Sequence, residues 1–263
     1  MTDSDIALEP AVRRVRLLLA YDGSRFHGFA VNDGGRTVAG DLNAALSTVS
    51  RMPVEIQGAG RTDAGVHGWG QVASVDLPVD IDVESLPKRL TKMCAPGIVV
   101  RRADEVDAGF DARFSAEWRH YRYTILNAHE PDPFLEGTTW HVPHALDLSL
   151  MRMACDPLIG EHDFSSFCRR PKEGDHSMVR RIISAEWSEH ASERGSHLLR
   201  FEIRATAFCH QMVRSIVGTL VDVGCGRITP GQIRGILNAR SRSAAGQVAP
   251  PQGLCLWAVG YPS

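Results

Sequence analysis

The chain has 263 residues, 43% hydrophobic and 23% charged, with a formal net charge of −2 at pH 7. Such a chain can bury a sizeable core in one large domain or two small ones, and its composition excludes disordered and collagenous classes. Near-neutral bulk charge neither points to nucleic acid nor excludes it, because binding depends on where the charge lies.

Residues 1–10 carry Asp3, Asp5 and Glu9 without the cationic-then-apolar pattern of a signal peptide, and no apolar run approaches the length of a membrane span. The six cysteines, Cys94, Cys155, Cys168, Cys209, Cys225 and Cys255, form no Cys-x-x-Cys pair, so reduced thiols in a cytoplasmic compartment are expected. Residues 12–21, rich in Val and Leu, read as a strand that ends at the turn Asp22-Gly23. Val38, Leu42, Ala45, Leu46 and Val49 recur at helical spacing and predict a helix over 37–50. Strands over 53–57 and 71–77, a helix over 84–94 and a strand over 97–106 complete a β-α-β-β-α-β order. That order is the split-βαβ, ferredoxin-like unit.

The rest of the chain repeats the pattern without repeating the sequence. Strands are expected over 117–126, 179–189, 197–206 and 254–261, and helices over 148–159, 208–223 and 230–239, the last with Pro230 at its start. The predicted fold class is therefore α+β. Two ferredoxin-like halves, 1–115 and 116–263, bring antiparallel sheets together around one central cleft. Residues 127–144 and 162–178 interrupt the second half as long insertions, which in compact domains are usually functional or mobile.

Between two strand-like runs lies the densest cluster of unusual residues, Gly58-Ala59-Gly60-Arg61-Thr62-Asp63-Ala64-Gly65-Val66-His67-Gly68-Trp69-Gly70. Five glycines permit a tight loop and close backbone approach, so that Arg61 and Asp63 project from it. Nucleotide-loop readings fail. Val66 and His67 stand where a phosphate loop needs Lys and Ser or Thr, and the third glycine of a dinucleotide fingerprint is replaced by Asp63. Asp63 is either a turn cap or the single carboxylate of a catalytic site, and its partners decide which.

Arg214 is one candidate partner. It sits near the start of an otherwise apolar helical stretch, where a guanidinium must reach an anion or solvent. Tyr121, in His120-Tyr121-Arg122-Tyr123, interleaves aromatic and basic residues on a strand, a pattern that stacks bases as readily as it fills a core. Basic clusters occur at Arg13, Arg14 and Arg16; Lys88, Arg89 and Lys92; Arg101 and Arg102; Arg169, Arg170 and Lys172; and Arg180 and Arg181. Lining one groove, they would serve a polyanion. His162, Asp163, Cys168 and His176 match no familiar metal-site spacing, and no metal is expected.

Six stretches, in order, resemble the tRNA pseudouridine synthase A family: Tyr21 to Gly28, Ala59 to His67, Tyr121-Arg122-Tyr123, Glu161 to Phe167, Met212-Val213-Arg214 and Ala249 to Leu254. The resemblance implies that Asp63 is the catalytic aspartate and that Arg61 helps hold the flipped-out state of the RNA. It also implies that Tyr121 stacks on the target uracil, Arg214 pairs with Asp63 and Leu254 packs against the base. By the same resemblance the protein is a cofactor-free, metal-free homodimer that isomerises uridines at positions 38 to 40 of the tRNA anticodon arm. The chain departs from the family's pattern at Phe29-Ala30, where Trp-Gln is usual, and at Ala39 and Asn43, where Gln and Glu are common. A nucleoside hydrolase and a non-catalytic RNA-binding protein are the competing readings. The first would release uracil and the second would leave uridine unchanged.

Overall fold

The structure, a computed structural model, describes residues 11–169 and 177–262. Arg170 and Lys172 of one basic cluster, and His176, lie outside them. In chain order the elements are β1 (Val12–Tyr21), α1 (Val38–Ser50), β2 (Gln57–Gly58), β3 (His67–Pro78), α2 (Leu86–Cys94) and β4 (Ile98–Glu105). There follow β5 (Trp118–Leu126), β6 (Trp140–His141), α3 (Leu148–Met153), β7 (Gly160–Asp163), β8 (Val179–Ala191) and β9 (His197–Ala205). The chain closes with α4 (Met212–Gly224), α5 (Gln232–Ala239) and β10 (Leu254–Gly260).

In β1 the alternation decides the facing: Val15, Leu17 and Leu19 are fully buried, while Arg14 and Arg16 occupy the opposite face and pair with Asp76 and Asp104. The buried face meets the apolar stripe of α1, with Leu42 and Leu46 fully buried, and Leu86 and Leu90 of α2. Thr37 caps α1 by accepting a hydrogen bond from the Gly40 amide at 3.1 Å. A second core gathers Tyr123, Ile125, Phe201 and Ile203 from the sheet beneath Ile216, Val217 and Leu220 of α4. Each such side chain contributes roughly 1.5–3 kcal/mol of burial free energy.

The sheet corrects one expectation. Instead of separate sheets facing across a cleft, all ten strands form one mixed sheet in the order β4-β1-β3-β10-β5-β9-β8-β7, with β2 attached to β3 and β6 to β5. The joining strand is β10, antiparallel to β5 along its length and parallel to β3 at Cys255–His67 and Leu256–Gly68. Two free sheet edges would otherwise expose unpaired amides and carbonyls at the centre of the molecule, and β10 satisfies both. On either side of that seam the same pairings recur, β4-β1-β3-β2 and β10-β5-β9-β8, each antiparallel throughout.

Several boundaries differ for identifiable reasons. The expected strand over 53–57 shrinks to Gln57–Gly58 because side chains of α1 take its donors: Val54 N donates to Ser47 Oγ and Ile56 N to Asn43 Oδ1, both at 3.0 Å. The expected helix over 148–159 stops at Met153 and resumes as a 3-10 turn, Asp156–Leu158, around Pro157. The helix expected from 208 begins at Met212, because Gln211 adopts a left-handed conformation (φ 62°), leaving 207–211 as a loop. Part of the second insertion is core: Phe164, Ser166 and Phe167 are buried, and Ser166 Oγ donates to Ile236 O at 2.6 Å.

Candidate active site

The glycine-rich loop leaves β2 and enters β3. Its conformation is fixed from beneath: the fully buried Gln71 donates through Nε2 to Gly60 O at 2.7 Å, and Tyr21 Oη and Thr62 Oγ1 share a 2.8 Å hydrogen bond. Asp63 O accepts from Val66 N at 3.1 Å in a turn that needs Gly65 at φ 79°. At Gly58 the requirement is space, since a Cβ there would lie 2.3 Å from the Phe29 ring. Phe29, one of the departures from the family's pattern, is thus a buried wedge under the loop that packs on Tyr21 with ring centroids 6.2 Å apart.

Asp63 is held from the other side of the seam. Arg214 Nη1 donates to Asp63 Oδ2 at 3.0 Å, and His210 Nε2 lies 3.2 Å from Asp63 Oδ1. Arg214 is itself clamped, because its Nε donates to Ala249 O at 2.7 Å while its own carbonyl accepts from Ala249 N. Gly218, one turn further along α4, permits this approach: a Cβ there would fall 1.8 Å from Gln247 O. His210 sits on the loop before α4 and is half exposed, whereas the Arg214 side chain is 13% exposed. One carboxylate oxygen is therefore held by a buried, clamped donor, and the other lies against a half-exposed imidazole at the mouth.

Asp63 opens into a cavity of about 810 Å³. All five residues singled out in the sequence line it: Arg61, Asp63, Tyr121, Arg214 and Leu254. Asp63 is the one carboxylate among the described lining residues, against Arg61, Arg113, Arg119, Arg180 and Arg214. Arg61 is exposed at the rim. Tyr121 is buried and meets Phe208 edge-on, centroids 5.0 Å apart and rings at 87°. Burial, reinforced by the charge of Asp63, raises its phenol well above the ordinary value, so it enters neutral chemistry as a hydrogen-bond donor.

Arg119, buried beneath the cavity, donates to Ala59 O through Nε and Nη2, to Ala116 O and Thr206 O through Nη1, and to Arg113 O. Its guanidinium ties the glycine loop to the chain crossing 113–116 and to the end of β9 using carbonyls alone. Burial lowers its pKa, yet arginine stays charged, so this cation adds to the positive field of the cavity. The sequence reading missed His210, Arg119 and Phe208. His210 and Phe208 were hidden by the expected helix, and Arg119 by its place in a strand.

A catalytic-type carboxylate in a cationic, partly aromatic cavity defines the class: an enzyme for an anionic, base-bearing substrate. Comparison with known proteins narrows it. Residues 154–262 match the family model described as tRNA pseudouridine synthase. The tRNA pseudouridine synthase A of Bacillus subtilis (strain 168) is 39% identical over 250 residues, covering 94% of this chain and 99% of that protein. That of Bacillus pumilus (strain SAFR-032) is 40% identical, with the same coverage. That of Geobacter sulfurreducens is 37% identical over 95% of this chain and the whole of that protein. The chain belongs to the tRNA pseudouridine synthase A family.

Proposed function

We propose that the protein isomerises uridine to pseudouridine at positions 38, 39 and 40 of the tRNA anticodon arm, with Asp63 as its catalytic residue. The observation that carries this reading is the convergence of Arg61, Asp63, Tyr121, Arg214 and Leu254, distant in sequence, on one cavity. The reaction breaks the bond from C1′ to N1, rotates the uracil and joins C5 to C1′, with loss of the C5 proton. A carboxylate serves it either by attacking covalently or by removing a proton. Arg214 and His210 aim that carboxylate and leave each oxygen a free lone pair. A base in a stem must first be extruded. Tyr121 and Leu254 offer it a stacking surface, and Arg61 holds the flipped-out nucleotide from the rim.

We read residues 1–115 and 116–263 as two ferredoxin-like units, supported by the recurring strand pairings on either side of β10. We read the assembly as a cytoplasmic homodimer. An exposed Trp69, stacked on Trp257 at 5.8 Å and flanked by Arg101 and Arg122, supports a partner surface away from the cavity. Among the described residues no helix is long and apolar enough to cross a membrane.

The test is site-resolved mass spectrometry of unmodified tRNA incubated with the purified protein, after derivatisation that tags pseudouridine. Tags at 38 to 40 support the proposal. Free uracil would establish a hydrolase, and bound but unchanged tRNA a non-catalytic binder.

A further inference from the structure

One thiol stands in the cavity wall and a second is buried on the neighbouring segment. Cys209 lines the cavity between Phe208, which packs on Tyr121, and His210, which contacts Asp63. Cys168, 1% exposed, follows the buried 3-10 turn Ser165–Phe167. A backbone hydrogen bond from Arg169 N to His210 O, 3.0 Å long, clamps the two segments side by side. Cys168 belongs to the larger core cluster and Cys209 packs against it, and each thiol perturbs the other's titration. The reaction proposed above uses neither thiol.

We propose that Cys168 and Cys209 form a peroxide-responsive dithiol whose oxidation to a disulfide displaces the 207–211 loop and arrests the enzyme. Cys209 is the attacking sulfur. The neighbouring Cys168 thiol draws its pKa down against the cost of burial, with the Arg180 guanidinium helping and the Asp163 carboxylate opposing. The same proximity, with burial, pushes the Cys168 thiol up. Cys209 is the sulfur that oxidant reaches, because it lines an open cavity, whereas the resolving Cys168 is buried on the segment clamped beside it.

The chemistry balances with hydrogen peroxide as the oxidant. The Cys209 thiolate attacks one peroxide oxygen, forming S–O as O–O breaks, and the departing hydroxide takes a proton from solvent. Cys168 then loses its proton, and its sulfur attacks the Cys209 sulfur. The S–S bond forms as S–O breaks, and a second water leaves. Dithiothreitol reverses the bond by thiol exchange. Covalent capture of Cys209 moves its neighbours Phe208 and His210, and displacing catalytic groups by about 1 Å can cost about 10²-fold in rate. A nucleotide of tRNA bound in the cavity would shield Cys209.

The loss of activity rests on the function proposed above; the bond itself does not. The experiment treats full-length protein with hydrogen peroxide, maps peptides under non-reducing conditions after alkylation, and follows pseudouridine formation in parallel. The expected result is a peptide linking Cys168 to Cys209, a loss of activity of about tenfold or more, recovery in dithiothreitol, and slower linkage when tRNA is present. In Cys168→Ala, activity without peroxide is retained, no linkage forms, and dimedone traps a sulfenic acid at Cys209. Peroxide that leaves both thiols reduced, or a linked protein that works at full rate, overturns the proposal. Should the protein prove not to form pseudouridine at all, the peptide map still decides whether the dithiol exists.

Discussion

The chain on one side of the β10 seam, residues 12–105, and that on the other, residues 118–260, share a strand-pairing order and a helix-covered face, yet supply opposite parts of the site. The first gives the carboxylate: a glycine loop fixed by backbone and buried side chains, ending in Asp63. The second gives what surrounds it: Tyr121 on β5, Arg180 on β8, His210 before α4, Arg214 within it and Leu254 on β10. The lesson is that a repeated scaffold need not repeat its chemistry. The anion and the two groups that touch it come from different sides, so the site exists only when both sides are docked.

Breaking the connection across the seam should have the largest effect. Arg214→Lys loses one of the two contacts that Nη1 and Nε make, to Asp63 and Ala249, because a lysine has one ammonium where arginine has a fork. The expected cost is about 10²-fold in kcat with little change in tRNA affinity, read from single-turnover kinetics. A change in affinity alone would place Arg214 in binding. His210→Ala removes the exposed imidazole contact and should cost about 2- to 12-fold, the equivalent of one polar contact of roughly 0.5–1.5 kcal/mol.

Smaller effects separate scaffold from chemistry. Gly58→Ala drives a methyl into the Phe29 ring and should destabilise the protein by about 1–3 kcal/mol in urea titration, a loss that adding Phe29→Leu partly restores. Alkaline pH acts on both sides of the seam. All four tyrosines, Tyr21, Tyr121, Tyr123 and Tyr261, have phenols raised by burial above the ordinary value of 10.0. Their contribution to stability is complete below that value and is lost as pH climbs toward the raised folded-state values. Phenolate absorbance should therefore appear with unfolding rather than at pH 10, and a tyrosine titrating there in folded protein would contradict the burial. Arg61→Ala should leave the fold unchanged and reduce the salt slope of tRNA binding by about 1.

Much of this was legible in the sequence because it is local. The stripe of α1, the alternation of β1 and the glycine loop each follow from a few neighbouring residues, and the boundaries failed only where side chains intervened, as Ser47 and Asn43 do at 53–57. Arg61, Asp63, Tyr121 and Arg214 stood out as candidates from their local patterns and Leu254 through resemblance alone, but the contact from Asp63 to Arg214 spans 151 positions and no periodicity encodes it. His210 was obscured by a single residue, Gln211, whose left-handed backbone turns an expected helix into the loop that reaches Asp63. The continuous sheet was illegible for a different reason: β10 reads as an ordinary edge strand until β3 is known to lie beside it.

The central claim is that Asp63, held between the two sides of the seam, performs the chemistry. The most direct test is Asp63→Asn, which keeps the side chain's size and removes its charge, assayed by site-resolved mass spectrometry on tRNA that the variant is shown to bind. The account predicts a folded protein that binds tRNA as wild type does and forms no pseudouridine at positions 38 to 40. Pseudouridine at the wild-type rate would contradict it.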